Sequence, residues 1–187
     1  MRNELDCSLT PAPDKVVLRK IDTTTVSSGG FYLSADTLKN ERAAFCKVEA
    51  IGAVAAKKTG VKVGDYVFAD PLSSHYHTTP VMVIPWNGLI LITDENKGNL
   101  KTIPGYALLE KEEAPTTGFI APDSNSIRKG KVIQIVYPDD LKPEEVPQFK
   151  VGDTVMLTSK CEVYDGFCSK PLIAMRFEEI VARFDHV

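Results

Sequence analysis

His75 and His77 are two residues apart, which puts both imidazoles on one face of a strand, where a pair could begin a metal site. A structural zinc needs four ligands and a catalytic one three, and no third ligand lies near them in the sequence. The four cysteines offer no better pattern: Cys7 and Cys46 stand alone, and Cys161 and Cys168 are too far apart for a CxxC knuckle. These two could face each other across a hairpin, and in a reducing compartment they read as small apolar side chains. The acidic pairs Asp139-Asp140 and Glu178-Glu179 read as solvated surface. No GxGxxG stretch is available for a dinucleotide. The residues with chemical reach are thus expected to build neither an active site nor a metal site, and the chain is expected not to be an enzyme and to bind no cofactor.

A different kind of chemistry sits in Ser27-Ser28-Gly29-Gly30-Phe31-Tyr32-Leu33. It lies inside Asp22–Ala44, a long segment of Thr, Ser, Gly, Asn and charge with no period of 2 or 3.6. Loops of that length within a compact domain are uncommon and usually functional or disordered. Phe31, Tyr32 and Leu33 have no obvious core to enter. The arrangement returns, shortened, as Thr116-Thr117-Gly118-Phe119-Ile120-Ala121-Pro122. Glycine next to a short apolar run suits docking onto another protein: the backbone turns freely and the apolar side chains supply the buried area. The bland reading is that Phe31-Tyr32-Leu33 folds back over its own domain.

The elements that must carry these segments are short strands. Lys15–Ile21 is a strand-like run, and Phe45–Ile51 alternates apolar and polar residues as a half-buried strand does. Val61-Lys-Val-Gly-Asp65 places a turn before the next strand. Pro80–Ile84 and Leu89–Ile92 read as a closing hairpin around Pro85-Trp86-Asn87-Gly88, with Trp86 as packing or a subunit contact. Gly52–Gly60 reads as a connection, and nothing in this half calls for a helix.

The same order then starts again. Pro13–Lys20 is answered by Pro104–Lys111, Cys46–Ile51 by Gly130–Ile135, and Val61–Asp65 by Phe149–Asp153. Pro80–Ile84 is answered by Pro171–Met175, and Leu89–Ile92 by the strand within Glu179–Phe184. The displacements are 91, 84, 88 and 91 residues, so the blocks keep their order while loop lengths differ. That is an internal duplication, with two domains expected at 1–94 and 100–187 around the polar Asp94–Asn99 linker.

Each half reads as strand, long loop with glycine and an apolar tip, strand, connection, Lys-Val-Gly-Asp turn, strand and closing hairpin. That series of parts resembles the GroES family of co-chaperonins, once per half, in its tandem chloroplast-type or divergent phage-type form. The resemblance implies an all-β fold of two tandem, partly open β-barrels, each with a long mobile loop. It implies a lid that caps a GroEL-type chaperonin ring and assists ATP-dependent protein folding. The ATP would be bound by the chaperonin. The contacts would be Gly29, Gly30, Phe31, Tyr32 and Leu33 in the first loop and Gly118, Phe119, Ile120, Ala121 and Pro122 in the second. Self-association is expected as a ring of three or four chains, or as a mixed ring with a single-domain co-chaperonin. Gly52–Gly60 is short for the hairpin that roofs the family's dome, and Pro138, Pro143 and Pro147 disfavour strands between Tyr137 and Gln148. Medium-chain dehydrogenases also contain a GroES-like domain, but the dinucleotide stretch and the Cys/His zinc pattern are both missing here. A structural or assembly protein, for example from a virus particle, that reuses the barrels as an interaction module is the alternative.

Composition bounds the partners. The net charge of −3 and the scattered lysines and arginines give no footprint for nucleic acid. No run approaches the roughly 18 apolar residues of a membrane-spanning helix. The Met1–Asp6 start has neither the apolar core of a secretion signal nor the composition of a transit peptide. The expected location is the cytoplasm, or the plastid stroma if a transit peptide has been removed.

Overall fold

A computed structural model describes residues 9–21, 43–78, 80–111, 128–146, 149–157 and 172–184. In chain order the strands are β1 (Lys15–Lys20), β2 (Ala44–Ile51), β3 (Tyr66–Ala69), β4 (Tyr76–Thr78), β5 (Val81–Pro85), β6 (Leu89–Thr93) and β7 (Lys101–Thr102). They continue with β8 (Tyr106–Lys111), β9 (Arg128–Ile135), β10 (Thr154–Leu157), β11 (Leu172–Arg176) and β12 (Ile180–Arg183). The chain is mostly β, in two antiparallel sheets of order β4-β5-β1-β2-β3-β6-β7 and β11-β8-β9-β10-β12.

The five strands β5-β1-β2-β3-β6 correspond one for one to β11-β8-β9-β10-β12. The irregularities correspond too. The β1–β2 ladder shifts register between Val17 and Leu18, and β8–β9 shifts between Leu108 and Leu109. The β3–β6 ladder shifts between Phe68 and Ala69, and β10–β12 between Met156 and Leu157. Bulges are specific local features, so two at matching places in each sheet mark the halves as copies of one design.

The Lys-Val-Gly-Asp turn is built identically in both. Gly64 and Gly152 take φ of 93° and 97°, the left-handed value that the third residue of a type II turn requires. The Asp65 and Asp153 amides donate to the carbonyls of Lys62 and Lys150 at 3.2 and 3.1 Å. The same aspartates accept from the Lys62 and Lys150 amides at 2.8 and 2.9 Å.

Two expectations are corrected. Residues Ala53–Thr59 form a helix, α1, between Gly52 and Gly60. Ala-rich sequence favours helix, and Gly60 at φ 71° ends it with its amide bonded to the Ala56 carbonyl. Gly52 is required by packing, since a Cβ there would fall 2.2 Å from the Ala12 carbonyl oxygen.

The expected closing hairpin does not exist either. β5 and β6 lie on opposite sides of the five corresponding strands, and the 3-10 turn Trp86–Gly88 connects them. In a flat sheet strands four places apart stand about 19 Å from each other. Three connecting residues span at most about 14 Å. The sheet must therefore curl, and Phe177–Glu179 imposes the same on the second sheet.

One face of each curled sheet encloses a core. The first contains Val16, Leu18, Val48, Val67, Met82 and Leu89, with Trp86 packed against it. The second contains Leu109, Val132, Val155, Leu157, Met175 and Phe177. A third core joins the halves. Phe45, Phe68, Ile90 and Leu91 from the outer face of the first sheet pack with Tyr106, Leu108 and Ala174 of the second.

Candidate functional site

The expected contact residues Gly29, Gly30, Phe31, Tyr32 and Leu33, and Gly118, Phe119, Ile120, Ala121 and Pro122, lie outside the described residues. What is described is the frame that carries them. Residues 21–43 connect β1 to β2 and residues 112–127 connect β8 to β9, the same topological place in each sheet. Lys20 pairs with Cys46 and Lys111 with Gly130, so each connection leaves and re-enters at one end of one strand pair.

The first base is tied by backbone hydrogen bonds from Ile21 to the Phe45 carbonyl at 3.0 Å and from Lys20 to the Pro80 carbonyl at 2.7 Å. An Arg19–Glu49 ion pair lies across the same two strands. At the second base Gly130 lets β9 approach β8 closely, since a Cβ there would meet Leu109 Cβ at 3.3 Å and the Glu110 carbonyl oxygen at 3.4 Å.

The other sequence candidates are not brought together among the described residues. Among the described residues no group of three or more His, Cys, Asp or Glu converges as a metal site would require. Cys46 is fully buried among the first-core residues, and burial pushes its thiol from 9.0 up to about 12. A thiol so far from ionising is a packing residue, since the thiolate is the nucleophile. Cys7, Cys161 and Cys168 lie outside the described residues.

Trp86 packs against the first core, and Lys58 Nζ sits 4.7 Å above its ring. The same ammonium lies 3.8 Å from Asp140 Oδ2. Glu178 and Glu179 belong to the 3-10 turn after β11. Asp94 organises the linker, accepting from the amides of Asn96, Gly98 and Asn99 at 3.0, 2.7 and 3.2 Å. These bonds, led by that from Gly98, hold its carboxyl below the usual range. No described helix is long and apolar enough to cross a membrane.

Sequence reasoning missed the contact between the halves. The Asn87 carbonyl accepts from Tyr106 Oη and Arg176 Nη2, both at 3.3 Å, and Arg176 lies 5.4 Å from the centre of the Tyr106 ring. Lys97 Nζ stands 4.9 Å from the Phe45 ring centre and 5.9 Å from that of Phe68. Lys47 and Glu49 keep much of the outer face of β2 polar, but Phe45 and Phe68, alternating with core residues in β2 and β3, make that face apolar where the two strands pair. That is the signal that one face looks beyond its own half.

No protein-family model matches the chain, and no curated protein does.

Proposed function

We propose that the chain is a co-chaperonin lid: two GroES-like, partly open barrels that cap a chaperonin ring through apolar tips carried on equivalent connections. The observation behind this reading is the duplication. Two copies of one five-strand sheet each carry a glycine-and-apolar segment, Gly29–Leu33 and Gly118–Pro122, on the connection between their first two strands. The curl imposed by Trp86–Gly88 and Phe177–Glu179 favours barrels over open sheets.

The physics suits a lid that must close and leave. Ordering a polar segment costs about 1–2 kcal/mol per residue in backbone entropy, so one tip binds weakly. Each large apolar side chain buried at the dock returns about 1.5–3 kcal/mol. Several such tips on one assembly act together through effective concentration, and release of a few is enough to let go.

The test is capture of the purified chain by a GroEL-type ring with and without ATP, comparing it with the double variant Phe31→Ser, Leu33→Ser. Nucleotide-dependent capture of the parent and reduced capture of the variant, at unchanged melting temperature, support the lid. A large fall in melting temperature instead assigns those residues to packing. Absence of capture under all conditions removes the lid reading.

A further inference from the structure

The contact between the halves is apolar, with a few polar side chains set into it. Phe68 and Tyr66 of β3 lie opposite Leu91 and Thr93 of β6, and Thr102 of β7 lies opposite Leu91 from the other side. Opposed residues, and residues two apart along a strand, share a face of the sheet, so Thr93 and Thr102 are on the face of Leu91. That face carries the core between the halves, which includes Leu91 and has Tyr66 and Leu100 packed against it.

Both threonines are deeply buried there, Thr93 8% and Thr102 5% exposed. Neither hydroxyl has a hydrogen-bond partner among the described residues. A hydroxyl left buried and unpaired costs stability, and native proteins pair nearly all such groups with protein or with ordered water. Other polar groups of the junction follow that rule. The Asn87 carbonyl accepts from Tyr106 and Arg176, and the Thr102 amide donates to Gln134 Oε1 at 2.8 Å. The last bond settles which way the Gln134 side-chain amide faces, because a backbone N–H needs an oxygen. It leaves Gln134 Nε2 as a donor beside Thr102.

Polarity at these places is not inherited from the repeat. Thr93 pairs with Tyr66 where Phe184 donates to the Thr154 carbonyl, so Phe184 is its equivalent. Leu108 pairs with Gln134 as Val17 pairs with Ala50. Leu100-Lys101-Thr102-Ile103-Pro104 matches Leu9-Thr10-Pro11-Ala12-Pro13. Phe184, Ala50 and Pro11 thus stand where Thr93, Gln134 and Thr102 do, and none of them has a side-chain donor or acceptor.

Spacing decides between a direct bond and a bridge. Leu91 faces Thr102 and Ile92 faces Lys101, so Thr93 is the diagonal neighbour of Thr102. Such neighbours stand roughly 7–8 Å apart, somewhat less at Cβ. Two hydroxyls bond directly at about 2.7–2.8 Å, and one molecule between them spans about twice that. A buried water typically makes about three hydrogen bonds.

We propose that the junction is a binding site for one structural water, held by Thr93 Oγ1, Thr102 Oγ1 and Gln134 Nε2. It ties β6 of the first half to β7 and to β9 of the second. Each threonine hydroxyl can donate or accept, so one molecule completes both. The site follows from the fold and is independent of the lid reading.

The test is a double-mutant cycle in the full-length chain, Thr93→Val, Thr102→Val and both together, read by thermal unfolding. A high-resolution crystal structure of the parent accompanies it. Valine keeps the branched shape that suits a strand and removes the hydroxyl. Each single change takes a partner from the water and leaves the other hydroxyl short, so the melting temperature is expected to fall by about 2–6 °C. Removing both hydroxyls removes the need for the water, so the double variant is expected to melt no lower than the less stable single variant. The crystal is expected to show one ordered water within hydrogen-bond distance of both oxygens. A melting temperature that stays or rises in either single variant overturns the site, because a dry, unpaired hydroxyl is relieved by valine. Losses that add in the double variant overturn the bridge. So does a crystal in which the two hydroxyls are dry, or bond each other or the backbone directly.

Discussion

Ile90→Ala and Val181→Ala make the same kind of cut at equal positions of the repeat, one in the core between the halves and one on the surface. Ile90 is 0% exposed and packs with Phe45, Phe68, Leu91, Tyr106, Leu108 and Ala174. Truncating a buried isoleucine to alanine costs about 2–5 kcal/mol, lost transfer energy plus the cavity left behind. At roughly 2–4 °C per kcal/mol for a chain of this size, the melting temperature falls by about 4–20 °C. Val181, 59% exposed, has no such cavity to leave, and its truncation should stay within about 0.5 kcal/mol. Urea unfolding at low protein concentration, followed by far-UV circular dichroism and by the fluorescence of Trp86, measures both changes. Trp86 reports on the first half, whereas circular dichroism reports on both sheets. If the third core couples the halves, Ile90→Ala moves the dichroism transition of the second sheet as well as the fluorescence transition. Equal costs for the two variants, or a second-sheet transition that does not move, would refute the reasoning.

Three further outcomes are expected. Gly64→Ala and Gly152→Ala should each destabilise by about 1–3 kcal/mol in thermal or urea unfolding, through strain at positive φ, because an added Cβ meets nothing within 4 Å. Cys46 should resist alkylation in the native state and react in urea, as peptide mass spectrometry can read. Its folded pKa is raised, so the stability it contributes is present below 9.0 and declines as pH rises toward about 12, by at most about 1.4 kcal/mol per pH unit. Asp94→Ala should lower the melting temperature at neutral pH. Because that carboxyl is held low in the fold, the difference from the parent should vanish as pH falls below the ordinary carboxylate range of about 4.

Much of the fold is legible in the sequence, for identifiable reasons. The strands from β1 to β3 and their counterparts from β8 to β10 announce themselves by apolar alternation or by the Lys-Val-Gly-Asp turn before them. Pairing between distant strands is not written locally. Pro85–Gly88 looks like a hairpin turn, and only the topology reveals that β5 and β6 flank opposite sides of a curled sheet. α1 is seven residues long, too short for a helical period to stand out, and Gly60 was its one clear signal. β4 and β7 have three and two residues, below any periodic signal. The contact between halves was readable in Phe45 and Phe68, apolar residues on the face a half-buried strand gives to water. The tips at Phe31–Leu33 and Phe119–Ala121 are visible only in the sequence.

The most direct measurement is amide hydrogen exchange of the full chain, alone and with a GroEL-type ring and ATP, read by peptide mass spectrometry. The lid account predicts that protection gained on binding is centred on Gly29–Leu33 and Gly118–Pro122, while the Lys62–Asp65 and Lys150–Asp153 turns are unchanged. Binding that leaves both tips unprotected and protects other surfaces instead would contradict it.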